Sequence, residues 1–145
     1  MDSTEKKKLL FLCTGNSARS QMAEGLVRHF RENDFESFSA GIEPKGIHPK
    51  ALQVMQEIGI DIKDQHSKHL NELENIDFDY VVTLCDHAEK NYPFYFSKGK
   101  RIHKTFNDPA AMIGTDDDIT ASFRIIRDQL KEYILGFGED EDDIA

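Results

Sequence analysis

Cysteine is scarce: only Cys13 and Cys85 occur among 145 residues. Two cannot build a disulfide-rich scaffold or a four-cysteine zinc site, so they serve either core packing or chemistry. Tryptophan is absent, but ten Phe and a 39% hydrophobic content suffice for one core. Long apolar runs are missing too. The longest, Leu9–Cys13 and Tyr80–Cys85, are strand-sized and far too short to span a bilayer. Met1–Lys8 carries no apolar segment after its basic run, and a cytoplasmic protein is expected. Positive charge is also in deficit: 18 basic against 27 acidic residues give a net −9. That argues against a general nucleic-acid binder, which needs a positive field. Five of the acids fall together in Glu139-Asp140-Glu141-Asp142-Asp143, so the remainder carries −4. Residues 139–145 read as a mobile, solubilising tail on a single domain spanning 1–138. The six histidines form no metal motif, since His66 and His69 stand three apart with no pair to complete a site; no bound metal is expected.

What is present alternates between strand and helix patterns. Lys7–Cys13 reads as a buried strand ending in Thr14-Gly15-Asn16-Ser17, and a helix should begin near Ser17 or Ala18, where Ala23, Leu26, Val27 and Phe30 recur at helical spacing. Glu36–Ala40 suggests a second strand stopped by Gly41. His48-Pro49 opens a helix with Pro in its first turn, with Leu52, Met55 and Ile58 on one face and Gly59 at its end. Phe78–Cys85 is the clearest central strand, followed by the polar run Asp86–Lys90. Arg101–Phe106 is a weaker fourth strand leading to Asn107-Asp108-Pro109. A last helix from about Asp117 to Phe137 carries the stripe Ile119, Phe123, Ile126, Leu130, Ile134, Phe137. This alternation predicts an α/β fold, a parallel sheet with helices on both faces. Such sheets bind ligands beyond the carboxyl ends of their strands. Cys13, Cys85 and Asp108 all fall on that one edge.

The segment Cys13-Thr14-Gly15-Asn16-Ser17-Ala18-Arg19-Ser20 joins a strand to a helix. A loop curling over a helix N-terminus aims backbone N–H groups inward, a nest for a tetrahedral oxyanion, with Gly15 expected to supply the backbone freedom. A cysteine at its start feels the helix dipole and those amides, which favour the thiolate. Arg19 can grip two oxyanion oxygens with its planar fork, and Ser20 can donate to the sulfur. The nucleotide-type phosphate loop is excluded, because it needs a Gly-Lys-Ser/Thr ending and has no nucleophile.

Cys13–Gly25 (CTGNSARSQMAEG) resembles the low-molecular-weight protein tyrosine phosphatase superfamily, specifically its arsenate reductase branch. The continuation Ser20-Gln21-Met22-Ala23-Glu24-Gly25 favours the reductases, since the phosphatases usually place Pro directly after that Ser. Ser39-Ala40-Gly41, Gly59-Ile60-Asp61-Ile62 and Val81-Val82-Thr83-Leu84-Cys85 agree, and the similarity covers roughly residues 7–135. The resemblance implies a four-stranded sheet of flavodoxin-like order 2-1-3-4 and a monomeric catalytic domain. It implies Cys13 as nucleophile, Arg19 with the loop Thr14, Gly15, Asn16, Ser17, Ala18 and Ser20 as oxyanion binders, Asp108 as general acid and Cys85 as the second redox thiol. Reducing As(V) to As(III) takes two electrons, which a thiol pair supplies by becoming a disulfide. The alternative is a phosphatase working through a phospho-cysteine, but Asp108-Pro109 is followed by Ala110-Ala111 where phosphatases typically continue with Tyr. A non-enzymatic oxyanion sensor would leave Cys13 and Asp108 without purpose.

The sequence also departs from the family. Thioredoxin-coupled members carry a third redox cysteine where this chain has Tyr92; others place one at the position of His87, and an extra loop cysteine is replaced by Ala18. A three-cysteine relay is therefore excluded, which leaves two routes with no bound cofactor: an external thiol such as thioredoxin or glutaredoxin reduces Cys13–Cys85 directly, or a small thiol attacks the arseno-enzyme and Cys85 is a bystander or protective partner. Asn16, Glu24 and Ser39 match residues that organise the loop and hold a potassium ion in some relatives, while Lys68 stands where those relatives have an acid. Its ammonium is expected to replace the ion. Tyr92, Tyr95 and Phe96 are candidates for the rim of the cleft.

Overall fold

The structure is a computed structural model that describes residues 6–91 and 99–138. The possible rim residues Tyr92, Tyr95 and Phe96, and the acidic tail, lie outside the described residues. Four strands, β1 (Lys7–Cys13), β2 (Phe35–Gly41), β3 (Tyr80–Thr83) and β4 (Lys100–His103), form one sheet in the order β2-β1-β3-β4. All pairings are parallel, with Cys13 level with Gly41 and Leu12 level with Thr83. This is the order that the resemblance implies.

Successive side chains of a strand face opposite sides of the sheet. In β1 the residues Leu9, Leu10, Phe11 and Leu12 are all completely buried, so both faces are covered there. The covering comes from α1 (Arg19–Phe30), α2 (Pro49–Glu57), α3 (Asp86–Asn91) and α4 (Asp116–Leu135). α1 packs on β1, β2 and α4, while α3 packs on β1 and β3. Met22, Leu26 and Val27 of α1 and Phe123, Leu130 and Ile134 of α4 join the core.

Several boundaries differ from the sequence reading. α1 starts at Arg19, because Ser17 and Ala18 are still turning over the strand end. α2 buries Ala51, Val54 and Met55, whereas Leu52 and Ile58 are only half-buried. The buried face of α2 is therefore turned one position from the Leu52–Ile58 side, with Met55 common to both. The β3 strand is four residues long and not eight, since Leu84 makes one more sheet bond (Leu84 N–H to Leu12 O, 2.8 Å) before the chain turns into α3. The polar run after Cys85 is thus a short helix. β4 stops at His103 rather than Phe106. α4 begins at Asp116 behind a capping box in which Asp118 N–H donates to Thr115 Oγ1 (3.1 Å) and Thr115 N–H to Asp118 Oδ2 (2.9 Å). Among the described residues no helix is long and apolar enough to cross a membrane.

Candidate active site

The segment between β1 and α1 is built so that its carbonyls face away from its centre. Thr14 O accepts from Glu43 N–H (2.8 Å), Gly15 O from Lys45 N–H (2.9 Å), and Ser17 O from His48 N–H (3.0 Å). Ser67 Oγ also donates to Gly15 O (3.1 Å), and Gln21 Nε2 donates to Asn16 O (3.1 Å). With the carbonyls held outward, the N–H groups of residues 14–20 have no partner among the described residues. Thr14, Gly15, Ser17, Ala18 and Arg19 line the cavity, and their amides form an open nest at the N-terminus of α1, where the helix dipole also favours an anion.

The tight curl has one residue in the left-handed region, and it is Asn16 (φ 46°), not Gly15. Asparagine tolerates this conformation better than most residues. Here its side chain is fully buried and bonded at both ends: Nδ2 donates to Ser20 Oγ (2.8 Å) and Oδ1 accepts from Lys68 N–H (2.9 Å). Gly41 is the glycine that the loop requires. A Cβ there would stand 2.8 Å from both Asn16 N and Thr14 O, inside backbone that has no room to move.

Cys13 Sγ lies 3.0 Å from Ser20 Oγ. Because Asn16 Nδ2 already donates to that oxygen, the Ser20 hydrogen is free to point at the sulfur. Cys13 is 2% exposed and lines a cavity of about 510 Å³ together with the loop, Arg19, His48 and Asp108. Arg19 is tethered by Nη1, which donates to Phe106 O (2.9 Å), and its Nη2 stands 3.8 Å from Asp108 Oδ2. Asp108 caps the short 3-10 turn Pro109–Ala111, with Oδ1 accepting from Ala110 N–H (3.0 Å). Cys85 is 8% exposed, and its Sγ is 3.3 Å from Thr14 Oγ1. Thr14 thus connects the two cysteine segments. All four candidate side chains, Cys13, Arg19, Asp108 and Cys85, gather on the carboxyl edge of the sheet.

Behind the loop, Ser39 Oγ donates to Glu24 Oε1 (2.6 Å) and Lys68 Nζ donates to Ser39 O (2.9 Å). Burial lowers the Lys68 amine below its ordinary range, with Glu24 and Glu72 opposing that shift. This group borders a second cavity of about 580 Å³ that contains neither cysteine. The smaller cavity is the one that Cys13, Arg19 and Asp108 line. Among the described residues no cluster of three His, Cys, Asp or Glu side chains could hold a metal ion.

Several contributors were not singled out by sequence. Gln21 is fully buried and ties Asn16 O to His66 O (3.1 Å each). Phe106 acts through a carbonyl, which no sequence pattern reports. His48 both caps α2, with Nδ1 accepting from Lys50 N–H (3.0 Å), and lines the active cavity. Burial, and secondarily Lys50, hold its imidazole below the usual range, with Asp108 opposing. The cap was legible in His48-Pro49; the cavity wall was not.

Comparison with known proteins agrees with this geometry. The arsenate reductase of Halalkalibacterium halodurans is 45% identical over 134 residues, covering 92% of this chain and 96% of that protein. A solved arsenate reductase in the reduced state superposes with a TM-score of 0.77 at 31% identity, covering 92% of this chain and 98% of that one. An arsenate reductase in the phosphate binding state gives a TM-score of 0.72 at 30% identity, covering 96% and 99%. Residues 8–137 match the family model for low molecular weight phosphotyrosine protein phosphatases. With Cys13, the loop amides and Arg19 on one sheet edge, the chain belongs to the low molecular weight phosphotyrosine protein phosphatase family.

Proposed function

We propose that the protein is an arsenate reductase that works through Cys13 and Cys85. Arsenate settles in the nest of residues 14–20, held by amides and Arg19. The Cys13 thiolate attacks arsenic, a hydroxyl leaves as water with a proton from Asp108, and a Cys13–arsenic bond results. Cys85 then attacks Cys13 Sγ. The electron pair of the sulfur–arsenic bond stays on arsenic, giving arsenite, and a Cys13–Cys85 disulfide remains. An external thiol (thioredoxin, glutaredoxin or a small thiol) returns two electrons directly to that disulfide. Residues 1–138 act as one monomeric catalytic unit followed by the tail 139–145, and the need for reducing thiols fits the cytoplasm.

The observation that carries the reading is the pair of buried thiols at one sheet edge, with Thr14 Oγ1 3.3 Å from Cys85 Sγ beside the nest. Turnover of a Cys85→Ser variant tests it. Multiple turnover with thioredoxin or glutaredoxin should fall by at least about 100-fold, because no resolving thiol remains; full activity with glutathione would refute the two-cysteine scheme. A phosphate monoester in the same nest would pass its phosphoryl group to Cys13 as its alcohol leaves, protonated by Asp108, and water would then hydrolyse the phospho-cysteine, so a slow phosphatase side activity is expected. Ala110 lines the cavity beside Asp108, so an aryl ring gains no aromatic partner from it.

Lys68 is assigned the part of a resident cation, supporting the loop with Asn16, Glu24 and Ser39. What supports this is its ammonium on Ser39 O at 2.9 Å, in the field of Glu24. Exchanging sodium for potassium should leave the wild-type rate unchanged, while Lys68→Asp should make the rate potassium-dependent. Potassium stimulation of the wild type would remove the assignment.

A further inference from the structure

The turn that carries Cys85 is gripped from the neighbouring strand. His103, the last residue of β4, places Nδ1 2.8 Å from Thr83 Oγ1 and Nε2 2.9 Å from Asp86 Oδ1. These contacts lie two residues before Cys85 and one after it. Asp86 is acceptor-only when ionised, so Nε2 carries the hydrogen in the neutral ring and Nδ1, at 2.8 Å, is a nearer acceptor for the Thr83 hydroxyl proton than Ile102 O at 3.4 Å. Thr105 Oγ1 stands 3.1 Å from the same Nε2. The backbone of the turn is fixed by Leu84 N–H to Leu12 O (2.8 Å), Phe106 N–H to Leu84 O (3.1 Å) and Lys104 N–H to Thr83 O (2.9 Å). The His103 ring is the side chain that joins the strand before the thiol to the helix after it. Among the described residues, His103, Thr83, Asp86 and Thr105 make no hydrogen bond to residues 14–20; the turn meets the oxyanion machinery through Phe106, whose N–H bonds Leu84 O and whose carbonyl holds Arg19, and through Cys85 Sγ beside Thr14 Oγ1.

Disulfide formation demands a narrow range of Cα separation and dihedral angle, so a small shift of Cys85 lowers its reactivity toward Cys13 Sγ. We propose that His103 is a positioning residue for the resolving thiol, holding the Thr83–Asp86 turn in the register from which Cys85 attacks. The proposal rests on the two-cysteine reading above. It gives a function to a histidine that the oxyanion chemistry does not use.

The test is a single-turnover experiment. Reduced enzyme is mixed with saturating arsenate and quenched in acid, and arsenite and the Cys13–Cys85 disulfide are quantified over time. His103→Ala should slow both by about tenfold, the effect of one or two lost hydrogen bonds. Protection of Cys13 by inorganic phosphate against iodoacetamide should stay within about twofold of wild type, because the nest is untouched. His103→Gln, which keeps a donor toward Asp86, should recover most of the rate. In a Cys13→Ser background, His103→Ala should raise the alkylation rate of Cys85 several-fold. An unchanged single-turnover rate in His103→Ala would overturn the proposal. So would an equal loss of phosphate protection and of arsenite release, which would mark general damage to the fold. Cys85→Ser in the same assay separates the two levels: full-rate arsenite release from it refutes the two-cysteine reading itself, whatever His103→Ala does.

Discussion

Cys13→Ser protein is expected to produce arsenite at least about four orders of magnitude more slowly than wild type, the scale of loss when an enzymatic nucleophile is deleted. Two physical reasons combine. A serine hydroxyl is not ionised beside Ser20, so attack on arsenic lacks an anionic nucleophile. Even if attack occurred, Cys85 would have to attack an oxygen bonded to arsenic and form a sulfur–oxygen bond in place of a disulfide, so the step that leaves the bond pair on arsenic has no route. Oxyanion affinity should survive, because the amides of residues 14–20 and Arg19 are in place without the sulfur. The measurement pairs steady-state arsenite production with calorimetric titration of phosphate. Arsenite production above about one hundredth of wild type would contradict the assignment of Cys13. Loss of phosphate binding together with activity would show that Cys13 supports the nest and does more than react.

The second large effect is expected from Arg19→Lys. The guanidinium performs two tasks at once: Nη1 is held by Phe106 O at 2.9 Å, and the rest of the fork faces the cavity near Asp108. A lysine ammonium is a point donor on a flexible stem and cannot reproduce a tethered planar fork. Either the carbonyl or the oxyanion loses its partner. A loss of about 100-fold in kcat/KM for arsenate is expected, corresponding to about 2.7 kcal/mol of transition-state stabilisation. Phosphate affinity should weaken as well, since the same contact serves the ground state. Kinetics with arsenate and titration with phosphate read the two terms separately. A variant that retains more than about half of the wild-type kcat/KM would place the anion away from Arg19.

Both predictions concern residues that the sequence makes visible. A cysteine closing an apolar strand, separated by five residues from an arginine at the start of an amphipathic helix, constrains both ends of the loop. The strand fixes where the sulfur stands, and the helix fixes where the guanidinium begins. The resemblance of Cys13–Gly25 to the phosphatase superfamily added the sheet order and the parts played by Cys85 and Asp108. The boundaries were less legible. β3 ended at Thr83 because the chain turns into α3 at Asp86, and the buried face of α2 runs through Ala51, Val54 and Met55, so that Leu52 is only half-buried.

The loop itself shows where local reasoning stops. Gly15 looked like the residue giving the backbone its freedom, yet the left-handed position is Asn16, stabilised by partners at Ser20 and Lys68. Lys68 lies 52 residues away in sequence. Gly41 was read as a strand stop, but its missing side chain is what admits the backbone of Thr14 and Asn16.

The scarcity of cysteine determined one thing without any structure: two thiols cannot form a four-cysteine zinc site, a disulfide-rich scaffold or a three-member relay. Composition and periodicity likewise determined the parallel α/β class and the sheet edge on which chemistry falls, because strand and helix periods are local properties of the chain. The tertiary structure alone decided which groups turn the loop carbonyls outward, that Phe106 O anchors Arg19, and that Thr14 and His103 flank Cys85. Those are contacts between residues distant in sequence, many through backbone atoms that every residue possesses. No one-dimensional pattern distinguishes them; only folding brings them within hydrogen-bonding distance.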